Sequence, residues 1–93
     1  MIDLRLQEII KETTAKYQPS LIGVFGSYAR GEQNNRSDLD ILIDFNHRVN
    51  LLELIHLEAE LSKRLGIKVD LVTAKSLHQH LKPLIERDLI RIT

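Results

Sequence analysis

Between Gly26 and Asp40 the chain reads GSYARGEQNNRSDLD, and its last three residues set two aspartates one residue apart. On a strand, side chains at i and i+2 share a face, so Asp38 and Asp40 stand about 6–7 Å apart at ~3.3 Å per residue. Two carboxylates on one face repel each other unless a cation lies between them. Carboxylate oxygens are hard ligands, and Mg²⁺ is typically held by one or two of them together with substrate phosphates and water. A third acid, Asp70, lies in KVDLV, flanked by Val69, Leu71 and Val72. An acid in so apolar a strand is costly unless it is paired, exposed at a sheet edge or bound to a metal. Three acids on neighbouring strands can build the two-ion clamp used for in-line phosphoryl and nucleotidyl transfer. Asp38, Asp40 and Asp70 are therefore the candidate catalytic and metal-binding residues.

The first half of the same stretch suits an anionic substrate. Gly26 lets the backbone leave a strand and come close to a ligand. Ser27 and the amides after it can open a helical turn whose N–H groups receive an anion. Arg30, one turn on, is placed to neutralise a β- or γ-phosphate. Gly26, Ser27 and Arg30 together with the three acids would set a triphosphate between an amide nest and a pair of metal ions.

These residues need elements to hold them. Ile2, Leu6, Ile9, Ile10, Thr13 and Tyr17 recur at helical spacing, which predicts an amphipathic helix over 2–18, ended by Pro19 and Ser20. LIGVFG is a short apolar run closed by Gly26 and reads as a buried strand, with the polar RGEQNNRS a loop after it. DLDILIDF alternates, with Leu39, Ile41 and Ile43 on one face and Asp38, Asp40, Leu42 and Asp44 on the other. Asn50 with Glu53 predicts a capped helix running to Leu65 and stopped by Gly66. Its wide apolar stripe of Leu51, Leu54, Ile55, Leu61 and Leu65, flanked by Leu52 and Leu57, supplies core and leaves apolar surface for a partner. IKVDLVT is a third strand, Thr73 or Ser76 caps a short helix, Pro83 opens a final one, and LIRIT ends the chain as an edge strand. The fold class is α+β, a small mixed sheet of three or four strands covered by helices on one side.

Composition narrows the classes. A length of 93 residues fits one domain, 1–93. With 43% hydrophobic and 28% charged residues and no apolar run near the ~20 residues of a membrane span, no membrane association is expected. MIDLRLQEII carries an early acid and no continuous apolar core, which points to the cytoplasm and not to secretion. The absence of cysteine excludes disulfides and thiolate metal sites. Thirteen basic against 13 acidic residues argue against direct nucleic-acid binding driven by excess cations.

GSYARGEQNNRSDLD matches the Gly-Ser, ten residues, Asp-x-Asp signature of the DNA polymerase β-like nucleotidyltransferase superfamily. Its GSxARG…SDxD form resembles the minimal nucleotidyltransferases, the antitoxin half of HEPN/MNT toxin–antitoxin pairs in many prokaryotes. The resemblance implies the nucleotidyltransferase fold and a protein adenylyltransferase that uses two Mg²⁺ ions and ATP, releasing pyrophosphate. It implies as acceptor a tyrosine hydroxyl of a HEPN toxin, an RNase silenced by the modification. Carried over by position, Gly26 and Ser27 hold the triphosphate, Arg30 touches phosphate, and Asp38 and Asp40 bind both metals. Asp70 is then the third carboxylate, on the catalytic metal and as acceptor of the incoming hydroxyl's proton. Larger relatives carry a further segment that grips base and acceptor, so here a partner protein is expected to supply part of the site.

Other polar residues read as less specific. Asp44 is expected as a solvated acid past the cluster. His78 and His80, two apart on a helix, would point to different sides and form no zinc pair. Arg36 lies near enough the motif to reach phosphate, and Tyr28 serves either packing or base stacking. Two alternatives stand beside adenylyl transfer to a protein: an antitoxin that neutralises its toxin by binding alone, and transfer to a small molecule such as an aminoglycoside. Homo-oligomerisation is left open by the sequence.

Overall fold

The computed structural model describes residues 2–93. Helix α1 (Leu4–Thr14) starts at Asp3, whose carboxylate accepts from the Arg5 amide at 2.9 Å. It ends four residues sooner than periodicity predicts. The Thr13 and Thr14 hydroxyls bond back to the Ile9 and Ile10 carbonyls at 2.7 and 2.8 Å, and a single 3₁₀ turn over Ala15–Tyr17 with Gln18 at φ 49° reverses the chain. Pro19 then opens β1 (Pro19–Phe25) instead of closing the helix, a position where a missing N–H is tolerated.

The remaining elements are the helical turn α2 (Ser27–Arg30), β2 (Leu39–Phe45), α3 (Leu51–Leu65), β3 (Val69–Thr73), a 3₁₀ turn over Ala74–Ser76, α4 (Lys82–Asp88) and β4 (Ile90–Arg91). The strands form one mixed sheet in the order β3-β2-β1-β4. Strand β1 runs antiparallel to β2 and β4, while β2 and β3 are parallel. That parallel step requires a crossover, and α3 provides it. The expected cap is present, with Asn50 Oδ1 accepting from the Glu53 amide at 2.8 Å, and Gly66 closes the helix.

One face of the sheet carries the core. Ile22 and Val24 of β1 and Leu39, Ile41 and Ile43 of β2 are fully buried against Ile10 of α1 and Leu57 and Leu61 of α3. On α3 Leu57 and Leu61 are buried, and Leu54 and Leu65 pack half-buried against the same core. Leu51, Leu52 and Ile55 remain 72, 62 and 53% exposed, because at about 100° per residue Ile55 and Leu52 turn away from those four leucines, and Leu51 stands at the first position of the helix. The opposite face is thinner. Leu42 is buried there, outside the main cluster, and Leu89, just past α4, packs on its strand neighbour Gly23.

The free edge of β3 is closed by α3 side chains. Ser62 Oγ accepts from the Val69 amide at 3.0 Å and Glu58 Oε2 accepts from the Leu71 amide at 2.8 Å. These two bonds hold the strand on both sides of Asp70. No helix among the described residues is long and apolar enough to cross a membrane.

Candidate active site

Strand β1 delivers the chain to the site and a glycine turns it. Phe25 pairs with Asp40 across the sheet, so the next residue, Gly26, comes past the Asp40 side chain. Its backbone adopts φ 75° and ψ −152°, a region open essentially to glycine alone. A Cβ here would run into Asp40 Oδ2. Two independent constraints therefore demand glycine, the dihedral angles and the nearness of a carboxylate.

Beyond Gly26 the chain makes one helical turn, closed by the Arg30 amide on the Gly26 carbonyl at 3.1 Å. The first amides of such a turn have no intrahelical acceptors, which makes them fit partners for phosphate oxygens. Ser27 and Tyr28 are half-buried at its start.

The acids come from two adjacent parallel strands. Asp40 on β2 is in register with Asp70 on β3, and both share the face that also carries Leu42. Asp40 is half-buried, whereas Asp70 is exposed on its edge strand. Of the three exits open to an acid in an apolar strand, the structure gives Asp70 the edge. Burial, then the charges of Asp70 and Asp38, then a hydrogen bond with Asp70 push the Asp40 carboxyl above its ordinary range, while Arg30 draws it down. Asp38 and Asp70 therefore both lie near enough to act on the Asp40 carboxyl. Asp38, just ahead of β2, lies 3.8 Å from Lys68 Nζ.

Arg30 is near enough to act on Asp40 but is not free. Its Nε donates to Glu32 at 2.6 Å and its Nη1 donates to Asp88 at 2.7 Å, and these two bonds hold its guanidinium protonated even more firmly than usual. Nothing in the sequence pairs position 30 with position 88, so the second contact emerges only from the fold. The same is true of Glu58 and Ser62, which brace β3 around Asp70 from a helix thirteen and seven positions away.

A polar cleft of about 610 Å³ opens beside Asp38, with Tyr28, Asn34, Arg36, Ser37 and Lys68 among its walls. Asp44 lies at the far end of β2. It is half-buried and not fully solvated, with Oδ1 accepting from the Phe45 amide at 2.9 Å. His78 and His80 are exposed in the turn before α4 and not on a helix, and their rings stack at 5.0 Å instead of diverging.

The donor set fits a divalent ion of the Mg²⁺ type. Among the described residues, no three acidic or imidazole side chains converge closely enough to enclose an ion unaided. Mg²⁺ does not need such a cage, since it takes one or two carboxylates and completes its shell with phosphate and water. A bound cation would offset both the burial and the carboxyl repulsion that raise Asp40.

Comparison with known proteins agrees with this geometry. The sequence profile of the nucleotidyltransferase domain matches residues 6–92. A Methanocaldococcus jannaschii protein, provisionally named a protein adenylyltransferase, is 53% identical over 87 residues, covering 92% of this chain and 86% of its own. Protein adenylyltransferase MntA of Thermococcus cleftensis is 42% identical over 82 residues, covering 88% of this chain and 83% of its own. Among solved structures, a toxin–antitoxin crystallised with AMP-PNP superposes with a TM-score of 0.86 at 25% identity, over 94% of this chain and 72% of the other. The mixed sheet, the glycine turn over Asp40 and a profile match along nearly the whole length lead to one conclusion: the chain belongs to the nucleotidyltransferase family and is a nucleotidyltransferase.

Proposed function

We propose that this protein moves AMP from ATP to a hydroxyl of a partner protein, a tyrosine of a HEPN-type toxin, and thereby acts as its antitoxin. The observation that carries the reading is the closure of the Gly26 backbone over Asp40 while Asp70 stands in register on the neighbouring strand. A helical turn whose first amides lack intrahelical acceptors thus lies beside two acids, which supports a nucleotide site. The relatives named as protein adenylyltransferases, and the likeness to a toxin–antitoxin with AMP-PNP, support the choice of nucleotide and of a protein acceptor.

In this reading Gly26, Ser27 and the α2 amides seat the triphosphate, and Arg30 meets its outer phosphates. Asp38, Asp40 and Asp70 would hold two Mg²⁺ ions, which supply charge neutralisation of the phosphates and polarise the reacting oxygens when bound. The acceptor oxygen attacks the α-phosphorus as the bond to the β-phosphate breaks, and pyrophosphate leaves. Asp70 takes the acceptor's proton. Its exposure on the edge strand leaves it open to a hydroxyl brought by a partner.

The test is to incubate the protein with its cognate HEPN partner, ATP and Mg²⁺, beside an Asp38→Asn/Asp40→Asn control, and to weigh the partner by mass spectrometry. A gain of one AMP or more with the wild type alone is expected. A folded complex that never gains mass would sink the proposal. One observation favours a second reading, neutralisation by contact alone: Leu51, Leu52 and Ile55 expose a run of apolar surface at the start of α3. In that case the double variant would still silence the toxin.

A further inference from the structure

The Arg30 guanidinium is held by two carboxylates at once, Glu32 at 2.6 Å through Nε and Asp88 at 2.7 Å through Nη1. The first contact is local, but the second spans 58 positions and reaches the last residue of α4. One cation facing two anions presents net negative charge to whatever approaches the Gly26–Ser27 turn. With Nε on Glu32 and Nη1 on Asp88, a carboxylate already draws on each of the two edges by which a guanidinium grips an oxyanion through adjacent N–H groups. A polyphosphate arriving at α2 therefore competes with a carboxylate for the full grip of the arginine. The pair is accessible to such an exchange, since the Arg30 and Asp88 side chains are 47 and 23% exposed.

We propose that Asp88 is a positioning residue that competes with the β- and γ-phosphates of the nucleotide for Arg30. When the site is empty the arginine is parked on α4, and when the nucleotide is seated Asp88 gives it up. The inference rests on the phosphate role given to Arg30 above. It adds that the C-terminal end of α4 weakens nucleotide binding.

Calorimetric titration with α,β-methylene ATP and Mg²⁺ tests it without turnover. Asp88→Asn should bind the analogue about two- to five-fold more tightly, the size expected of an exposed ion pair. Asp88→Glu should restore the wild-type value, and the gain should vanish in an Arg30→Gln background. Binding of AMP, which lacks the outer phosphates, should not respond to Asp88→Asn, whereas a general structural effect would alter both ligands. A readout in the unaltered protein guards against a variant that fails to fold. The Asp88 carboxyl ¹³C resonance should shift on saturation with the analogue and stay in place with AMP, and a static resonance would overturn the inference. If Arg30→Gln weakens the analogue but Asp88→Asn does not strengthen it, the competition is refuted and the phosphate role stands. If Arg30→Gln binds like the wild type, both are refuted.

Discussion

Replacing Gly26 by alanine separates a glycine needed for a turn from one needed for chemistry. The position has φ 75° and ψ −152°, and holding a non-glycine residue in such a region costs about 1–3 kcal/mol. A domain of this size loses about 4–8 °C of Tm per kcal/mol, so Gly26→Ala should melt roughly 5–20 °C lower. The new methyl also meets Asp40 Oδ2, and either the carboxylate or the backbone must give way. A shift on the order of 1 Å in a reacting group costs about 10²-fold in rate, so transfer should fall at least that far even at temperatures where the variant is folded. Gly31→Ala is the matched control. It also has positive φ, 73°, but nothing lies within 4 Å of its added Cβ. It should lose about 1–2 kcal/mol and keep its transfer rate. Thermal unfolding by circular dichroism, paired with single-turnover transfer from α-labelled ATP, measures both quantities. Equal loss of stability with activity retained in both variants would refute the argument that closeness to Asp40 is what the position demands.

The raised Asp40 carboxyl makes the metal-free protein pH-sensitive in a defined direction. Stability from the neutral form is complete below the ordinary value of 3.8 and is lost as pH rises through the raised one. Asp40→Asn should therefore melt above the wild type at pH 7 without metal while abolishing transfer, and a lower melting temperature would contradict the assigned environment. Glu58→Ala removes the acceptor on the Leu71 amide and should cost about 1 kcal/mol, with faster hydrogen exchange at Leu71 and slower transfer through a loosened Asp70. Glu58→Gln, which keeps an acceptor, should recover both. Leu61→Ala in the core should cost about 2–5 kcal/mol by urea unfolding, whereas Leu52→Ala on the open flank of α3 should stay within about 0.5 kcal/mol.

Much of the architecture is written in local pattern. Alternation in DLDILIDF sorted Leu39, Ile41 and Ile43 from Asp40 and Leu42, because side chains on a strand alternate by covalent geometry whatever the strand packs against. Asn50, Glu53 and Gly66 marked the ends of α3 for the same kind of reason, since caps satisfy backbone groups within a few residues of themselves. Local pattern misjudged the end of α1 and the setting of His78 and His80, where a hydroxyl bonding back to a carbonyl and a turn without helical periodicity overrode the spacing. The wide apolar stripe of α3 both supplies core and leaves open surface, as its width implies, but which leucines fall on which side was decided by the neighbours that reach them.

The site divides along the same line. Residue types and spacing nominated Gly26, Ser27, Arg30, Asp38, Asp40 and Asp70, because the chemistry of a polyphosphate and a hard cation restricts which side chains can serve. Only the tertiary structure decided that Asp70 stands in register with Asp40, that an edge strand is braced by Glu58 and Ser62, and that Arg30 is shared with Asp88. Those relations depend on strand order and on a crossover helix. They join positions far apart in the chain, where no periodicity or capping rule connects one residue to the other.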